Sequence, residues 1–215
     1  MQQTIQVFTV GEDAVTRAIA RRLLTQVGTF LKPGLDLPAR GSEIKQRFPQ
    51  YRKLAEKFPV LLLTDLDDKH CPLELRAEWL AGTEPPEQLM FRICVDEAES
   101  WLMADREGLA RHLLIDRELI PQATQLDPRN PQNREIRLPY KPSLYLMREL
   151  AAQSASQEIK RQLTPKKLAK KGPEYNAALL PFIQHQWNIE VAAQQSYSLR
   201  KAMAHIERLE EQLAG

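Results

Sequence analysis

Residues 60–64, Val-Leu-Leu-Leu-Thr, form a continuous apolar run of strand length that ends in Asp65-Leu66-Asp67-Asp68. A strand that is apolar on both faces belongs in the middle of a parallel sheet covered by helices on each side. The chain before it supports that reading. Residues 4–10 (TIQVFTV) are rich in β-branched residues and read as a first buried strand, broken by Gly11-Glu12-Asp13. Residues 14–27 then place Val15, Ile19 and Leu23 at helical spacing, and Asp13 is a plausible N-cap.

The same alternation continues. Residues 29–31 read as a short second strand, and 32–42, with two prolines and two glycines, as a loop. A helix is expected over 43–57 and another over 72–80, with Pro72 in its first turn. Residues 89–95 (LMFRICV) read as a further strand, followed by a helix over 98–114. Strand alternating with helix argues for an α/β fold: a mostly parallel sheet flanked by helices. Beyond residue 116 the pattern changes. Residues 120–142, rich in Pro, Asn, Gln and Arg, read as an extended connection. Helices are expected over 142–162, 175–185 and 198–213. The expected organisation is a first domain over 1–118 and a mostly helical C-terminal region over 119–215, packed on the first.

Composition narrows the function classes. The chain is 43% hydrophobic and 27% charged, as an ordinary globular protein is. Its apolar runs are too short to span a bilayer, and its start, Met-Gln-Gln-Thr-Ile, has neither a basic n-region nor an h-region. The expectation is a cytoplasmic protein with no membrane role. Cys71 and Cys94 have no metal-ligand spacing and are expected to be reduced thiols. A net charge of +2 hides an asymmetry: residues 96–107 carry five acids and one base, and residues 160–171 six bases and no acid. Such a division fits an acidic metal-binding centre and a separate basic contact surface.

The acidic residues are informative by position. Glu12 follows the first strand, while Asp65 and Asp67 follow a later one, and successive parallel strands end on the same sheet edge, where ligands bind. Hard cations such as Mg²⁺ take oxygen ligands and keep several waters, so a few carboxylates and a substrate phosphate can hold one or two of them. Asp13 suits the helix cap, which leaves Glu12 for chemistry. Glu99 is a candidate further ligand, and Lys69 a candidate stabiliser of transition-state charge. His70 lies beside the same turn. Lys160, Arg161, Lys166, Lys167, Lys170 and Lys171 are candidates for contacting a nucleic-acid backbone, with salt-dependent affinity. Tyr175, Phe182, Trp187 and Tyr197 read more readily as core than as base-stacking residues, and so do Trp101, Leu102 and Leu109.

A strand ending in Glu, then a helix, then a later strand ending in Asp-x-Asp, resembles a Toprim domain over approximately residues 4–115. Such domains occur in topoisomerases, bacterial primases, RNA-maturation nucleases and overcoming-lysogenization-defect nucleases. The strings GEDAVTRAIARRLL, VLLLTDLDDKHCP, EAESWLMADREGLA, GPEYNAALLPFIQHQW and SYSLRKAMAHIERL, in that order, resemble a bacterial Toprim-like family of unknown function (domain of unknown function 4276). The resemblance implies that Glu12 acts in acid/base or metal chemistry and that Asp65 and Asp67 bind Mg²⁺. Its members are often encoded beside an ATPase, which implies a role in phage defence. Many Toprim domains place Gly directly after the Glu; here Gly11 precedes Glu12 and Asp13 follows it.

The leading expectation is a nuclease dependent on Mg²⁺ or Mn²⁺ that hydrolyses phosphodiester bonds of DNA or RNA in an anti-phage system with a partner ATPase. The alternative is a non-catalytic Toprim-like regulatory or binding subunit of an ATPase complex. A third reading, a phosphotransferase or phosphatase on small substrates, leaves the extended basic segment unused.

Overall fold

The structure is a computed structural model, and it describes residues 3–37, 39–41, 43–67, 69, 71–166 and 169–215. The chain forms two compact units. The first comprises Met1–Cys94 together with Arg200–Gly215, and the second Val95–Leu199. The expected boundary at 118/119 thus differs from the divisions at 94/95 and 199/200.

The first unit is α/β. Its elements are β1 (Ile5–Val10), α1 (Ala14–Gln26), β2 (Leu31–Asp36), α2 (Glu43–Gln46), α3 (Phe48–Leu54), β3 (Val60–Asp65), α4 (Pro72–Leu80) and β4 (Leu89–Cys94). Four parallel strands form one sheet in the order β2-β1-β3-β4. β3 is interior and buried from Val60 to Thr64, as its unbroken apolar run requires. Alternation sends Val10, Val60, Leu62, Leu89 and Phe91 to one face. There Ile44, Phe48, Tyr51 and Leu80 of α2, α3 and α4 complete a core in which the rings of Phe48, Trp79 and Phe91 lie 5.0–5.3 Å apart. The other face takes Val7, Leu61 and Leu63, and α1 buries Val15, Ile19 and Leu23 while packing against β1, β2 and β3.

Two expectations in this unit are corrected. The segment expected to be a loop contains β2, which includes Pro33 and Gly34. β2 is an edge strand that pairs only with β1, and an edge tolerates a residue lacking an N–H. One extra residue enters β2 between the Val7↔Pro33 and Thr9↔Asp36 pairs. The single helix expected over 43–57 is two short helices separated at Arg47, with Pro49 in the first turn of α3.

The second unit is mostly helical: α5 (Glu99–Ala104), α6 (Arg106–Leu113), α7 (Pro142–Tyr145), α8 (Gln157–Leu163), α9 (Tyr175–Pro181) and α10 (Ile189–Gln195), with α11 (Tyr197–Ala214) starting in it. Single π turns follow α7 and α9, at Leu146–Leu150 and Phe182–Gln186. Residues 120–142 are not simply extended. They contain an antiparallel hairpin of β5 (Thr124–Asp127) and β6 (Asn130–Glu135). Most of its side chains are exposed, so it lacks the apolar alternation by which a strand is recognised. The helix expected over 98–114 breaks at Asp105, which caps α6 through Gly108 N (3.0 Å) and also accepts from Asn188 N (2.8 Å). Trp101, Leu102, Leu109, Phe182 and Trp187 are buried in this unit's core, and Trp101 Nε1 donates to Ser198 Oγ at 2.8 Å. Among the described residues, no helix is long and apolar enough to cross a membrane. Among the described residues, Cys71 and Cys94 take part in no disulfide.

Candidate functional site

In a sheet of order β2-β1-β3-β4, the chain leaves β1 towards β2 on one side, and β3 lies on the other. A crevice therefore opens past the carboxyl ends of β1 and β3, where the strand order reverses. Glu12 and Asp65 stand at these two ends, and the structure has a cavity of about 530 Å³ lined by Glu12, Thr64, Asp65, Asp67, Lys69 and Glu78, among others. Residues over fifty positions apart are thus brought to one wall by the topology alone.

Each side chain is held by its element. Asp13 is the N-cap of α1 and accepts from Thr16 N (2.9 Å) and Thr16 Oγ1 (3.1 Å). Glu12 instead lines the cavity, where its Oε1 accepts from Thr64 Oγ1 (2.7 Å) and Asp65 N (3.4 Å). Burial pushes the Glu12 carboxyl above its ordinary pKa. The hydrogen bonds from Thr64 and Asp65 oppose that rise, and the charges of Asp67 and Asp13 add to it. Gly11 makes this turn possible, because a Cβ there would lie 2.9 Å from Arg17 N and 3.1 Å from Thr16 C, both backbone atoms of α1. The glycine before the glutamate is therefore a packing requirement of this strand-to-helix corner.

Past β3 the chain turns sharply. Leu66 is buried, and its N–H donates to Cys94 O at 2.9 Å. Asp67 has φ +50°, a left-handed conformation that Asp tolerates better than most residues. The turn carries Asp67 and Lys69 along the cavity wall and leads into α4, which adds Leu75, Glu78 and Trp79 at helical spacing. Lys69 Nζ lies 3.0 Å from Glu78 Oε2, and Lys45 pairs with the other oxygen of Glu78. Hydrogen bonds and charge from Lys45 and Lys69 hold the Glu78 carboxyl below its ordinary pKa. Lys45 and Glu78 carry no distinctive sequence signal; only their placement on α2 and α4 makes them part of this wall.

The other candidates have different surroundings. Glu99 lies in the second unit, nine-tenths buried, and accepts from the Tyr175 hydroxyl. Glu97, also buried there, accepts from Ser143 N at 2.8 Å. Of the basic segment, Arg161 forms ion pairs with Glu158 (2.6 Å) and Glu174 (2.5 Å), and Lys171 Nζ sits 4.6 Å from the centre of the Tyr175 ring. Lys166 and Lys170 are exposed, and Lys160 is half-buried. Lys167, Asp68 and His70 lie outside the described residues.

Among the described residues, no three His, Cys, Asp or Glu side chains form a ready-made cation cage. Mg²⁺ does not require one, since it is usually held by one or two carboxylates, waters and the substrate's own phosphates. Glu12, Asp65 and Asp67 lining a single cavity fit that arrangement. Fold and crevice together define an α/β protein with an acidic site at the switch point of a parallel sheet. No family model, curated protein or solved structure matches the chain.

Proposed function

We propose that the first unit is a Toprim-like domain and that the protein is a metal-dependent nuclease hydrolysing phosphodiester bonds of DNA or RNA. The observation that carries this reading is the convergence of Glu12, Asp65 and Asp67 on one cavity past the ends of β1 and β3. A bound Mg²⁺ or Mn²⁺ would polarise a phosphoryl oxygen and supply a nucleophilic water at neutral pH. Asp65 and Asp67 would hold it, on a turn fixed by the buried Leu66 between them. Glu12 keeps Oε1 on Thr64 and Asp65 N, which orients Oε2 as the oxygen that acts on a ligand or its water. Lys69, on the same wall, would stabilise charge that develops on the phosphate, and Glu78 fixes its position meanwhile. By this reading the protein acts beside a partner ATPase in phage defence.

The test is cleavage of plasmid, single-stranded DNA, tRNA and total RNA by the full chain, alone and with an ATPase encoded beside it. Cutting should require Mg²⁺ or Mn²⁺, stop in EDTA, and be lost in Asp65→Ala and Asp67→Ala proteins of native circular dichroism. No cutting in any of these mixtures would transfer the site to a regulatory subunit that binds and does not cleave.

A further inference from the structure

The cavity past β1 and β3 has two kinds of wall. Glu12, Asp65 and Asp67 supply acids, yet most of the accessible wall is apolar. Ile44 of α2, Leu66 of the turn, and Leu75 and Trp79 of α4 belong to that apolar part. Leu75 and Trp79 are four residues apart and so share one side of their helix. Trp79 is half-buried. Phe91 covers its indole, stacked at 5.3 Å and 21°, and Phe48 packs against it at 70°. The core thus braces the ring, while the same residue lines the cavity.

Carboxylates and a metal need no apolar wall to hold a phosphate. A ligand that uses both walls has an anionic end and an apolar body. The anionic end cannot enter alone. Lys45 and Lys69 also line the cavity, but Glu78 pairs with both of them. Among the described lining residues, four carboxylates stand against two ammonium groups, so an anion enters together with a cation. A cavity of about 530 Å³ has the size of a small-molecule site. One nucleotide fits it. A duplex does not, because its bases are paired and stacked and cannot reach a wall beside their own phosphates.

We propose that this cavity holds one unstacked nucleotide of a single strand, with its base against Leu75 and Trp79 and its phosphate at the Glu12–Asp65–Asp67 end. The proposal rests on the nuclease reading for its choice of ligand, and it narrows the substrate of that reading to single-stranded DNA or RNA. Stacking on an aromatic ring is tolerant of base identity, so the cavity selects for strandedness and not for sequence.

The experiment is isothermal titration calorimetry of the full chain in Mn²⁺ with adenosine 5′-monophosphate, uridine 5′-monophosphate and ribose 5-phosphate. None of the three contains a phosphodiester, so binding is read without cleavage. Both nucleotides should bind about tenfold or more tighter than ribose 5-phosphate, which has no base to stack. Trp79→Leu keeps an apolar side chain on the core. It should remove most of that difference and leave ribose 5-phosphate binding where it was, whereas a merely loosened site loses all three ligands. Asp65→Ala should weaken all three alike. In the wild type, a single-stranded phosphorothioate oligonucleotide should displace adenosine 5′-monophosphate, and a closed-end duplex of the same sequence should not. The wild-type comparisons stand even where a variant fails to fold. Equal affinity for the nucleotides and ribose 5-phosphate, equal displacement by single strand and duplex, or no binding of any of the three would overturn the nucleotide site. Cleavage of duplex and single strand alike alongside such a result would leave the nuclease reading intact. Nucleotide binding of the expected kind by a protein that never cleaves would remove the nuclease reading and leave this site standing.

Discussion

Thr64 Oγ1 donates to Glu12 Oε1 at 2.7 Å and so ties the end of β3 to the end of β1. Thr64 is 1% exposed, and hydrogen bonds to a charged group contribute about 1.5–3 kcal/mol. Thr64→Val should therefore lower stability by about 2 kcal/mol in urea denaturation. Glu12→Gln should do the opposite in EDTA at neutral pH, because it removes a partly buried charge that Asp13 and Asp67 repel. In the double variant the cost of Thr64→Val should shrink, a coupling that a double-mutant cycle measures. Additive effects would mean that the two side chains do not act together.

Asp67 combines a carboxylate with a left-handed backbone, and substitutions can separate the two. Asp67→Asn keeps a residue that tolerates φ near +50° and loses the charge. Asp67→Ala loses both, and should cost about 1 kcal/mol more in stability than Asn. Cleavage and metal affinity should fall equally in the two proteins. Activity that instead followed stability would assign Asp67 to the turn and not to the metal.

Gly11→Ala adds no charge and removes none, yet its Cβ would lie 2.9 Å from Arg17 N. The β1–α1 corner must shift, and Glu12 with it. The expected result is a lower melting temperature together with loss of cleavage comparable to that of Glu12→Ala. Full activity in Gly11→Ala would show that the site tolerates a displaced Glu12.

Lys69 and Glu78 are both partly exposed and belong to the cavity wall. An exposed pair of this kind contributes little to stability, so Lys69→Ala should barely alter the melting temperature. Its effect on kcat should be large and its effect on KM small if the amine acts on charge that appears only in the transition state. A change confined to KM would make Lys69 a ground-state phosphate contact.

How much of this was legible in the sequence depends on whether the signal was local. β1, β3, β4, α1 and α4 announce themselves by β-branched runs, helical spacing and Pro72, and they carry Glu12, Asp65 and Asp67 to one edge. β2 was hidden by Pro33 and Gly34, which an edge strand accepts and a central one would not. The β5–β6 hairpin was hidden by its polarity, since few of its side chains enter a core. At the break at Asp105, one carboxylate oxygen caps α6 through Gly108 N and the other accepts from Asn188 N, more than eighty residues away, a tie that no local pattern shows. Lys45 and Glu78 could not be grouped from spacing at all, because they meet only when α2 and α4 are in place.

The longest-range of these ties is at Glu210. Its carboxylate accepts from Thr29 Oγ1 (2.7 Å), Phe30 N (2.8 Å) and Leu31 N (2.7 Å), so the closing helix satisfies the backbone that enters β2. Glu210 is 8% exposed, and truncating it to Ala strands two backbone donors as well as the Thr29 hydroxyl. At about 1–3 kcal/mol for each of the two stranded backbone donors, Glu210→Ala should cost about 2–6 kcal/mol. Burial pushes the carboxyl's pKa up, but the hydrogen bonds from Leu31, Thr29 and Phe30 outweigh it and hold the folded value below the usual range. The linkage then has a definite sign. A depressed folded pKa means that the unfolded chain binds the proton more readily, so this contribution is complete above the unfolded value of about 4.3 and is lost as pH falls through the folded one. Wild type should lose stability on acidification in that window, while Glu210→Gln should start lower at neutral pH and fall less steeply. Parallel pH–stability curves for the two proteins would mean that Glu210 is not ionised in this clasp, and that the closing helix is held by its apolar face alone.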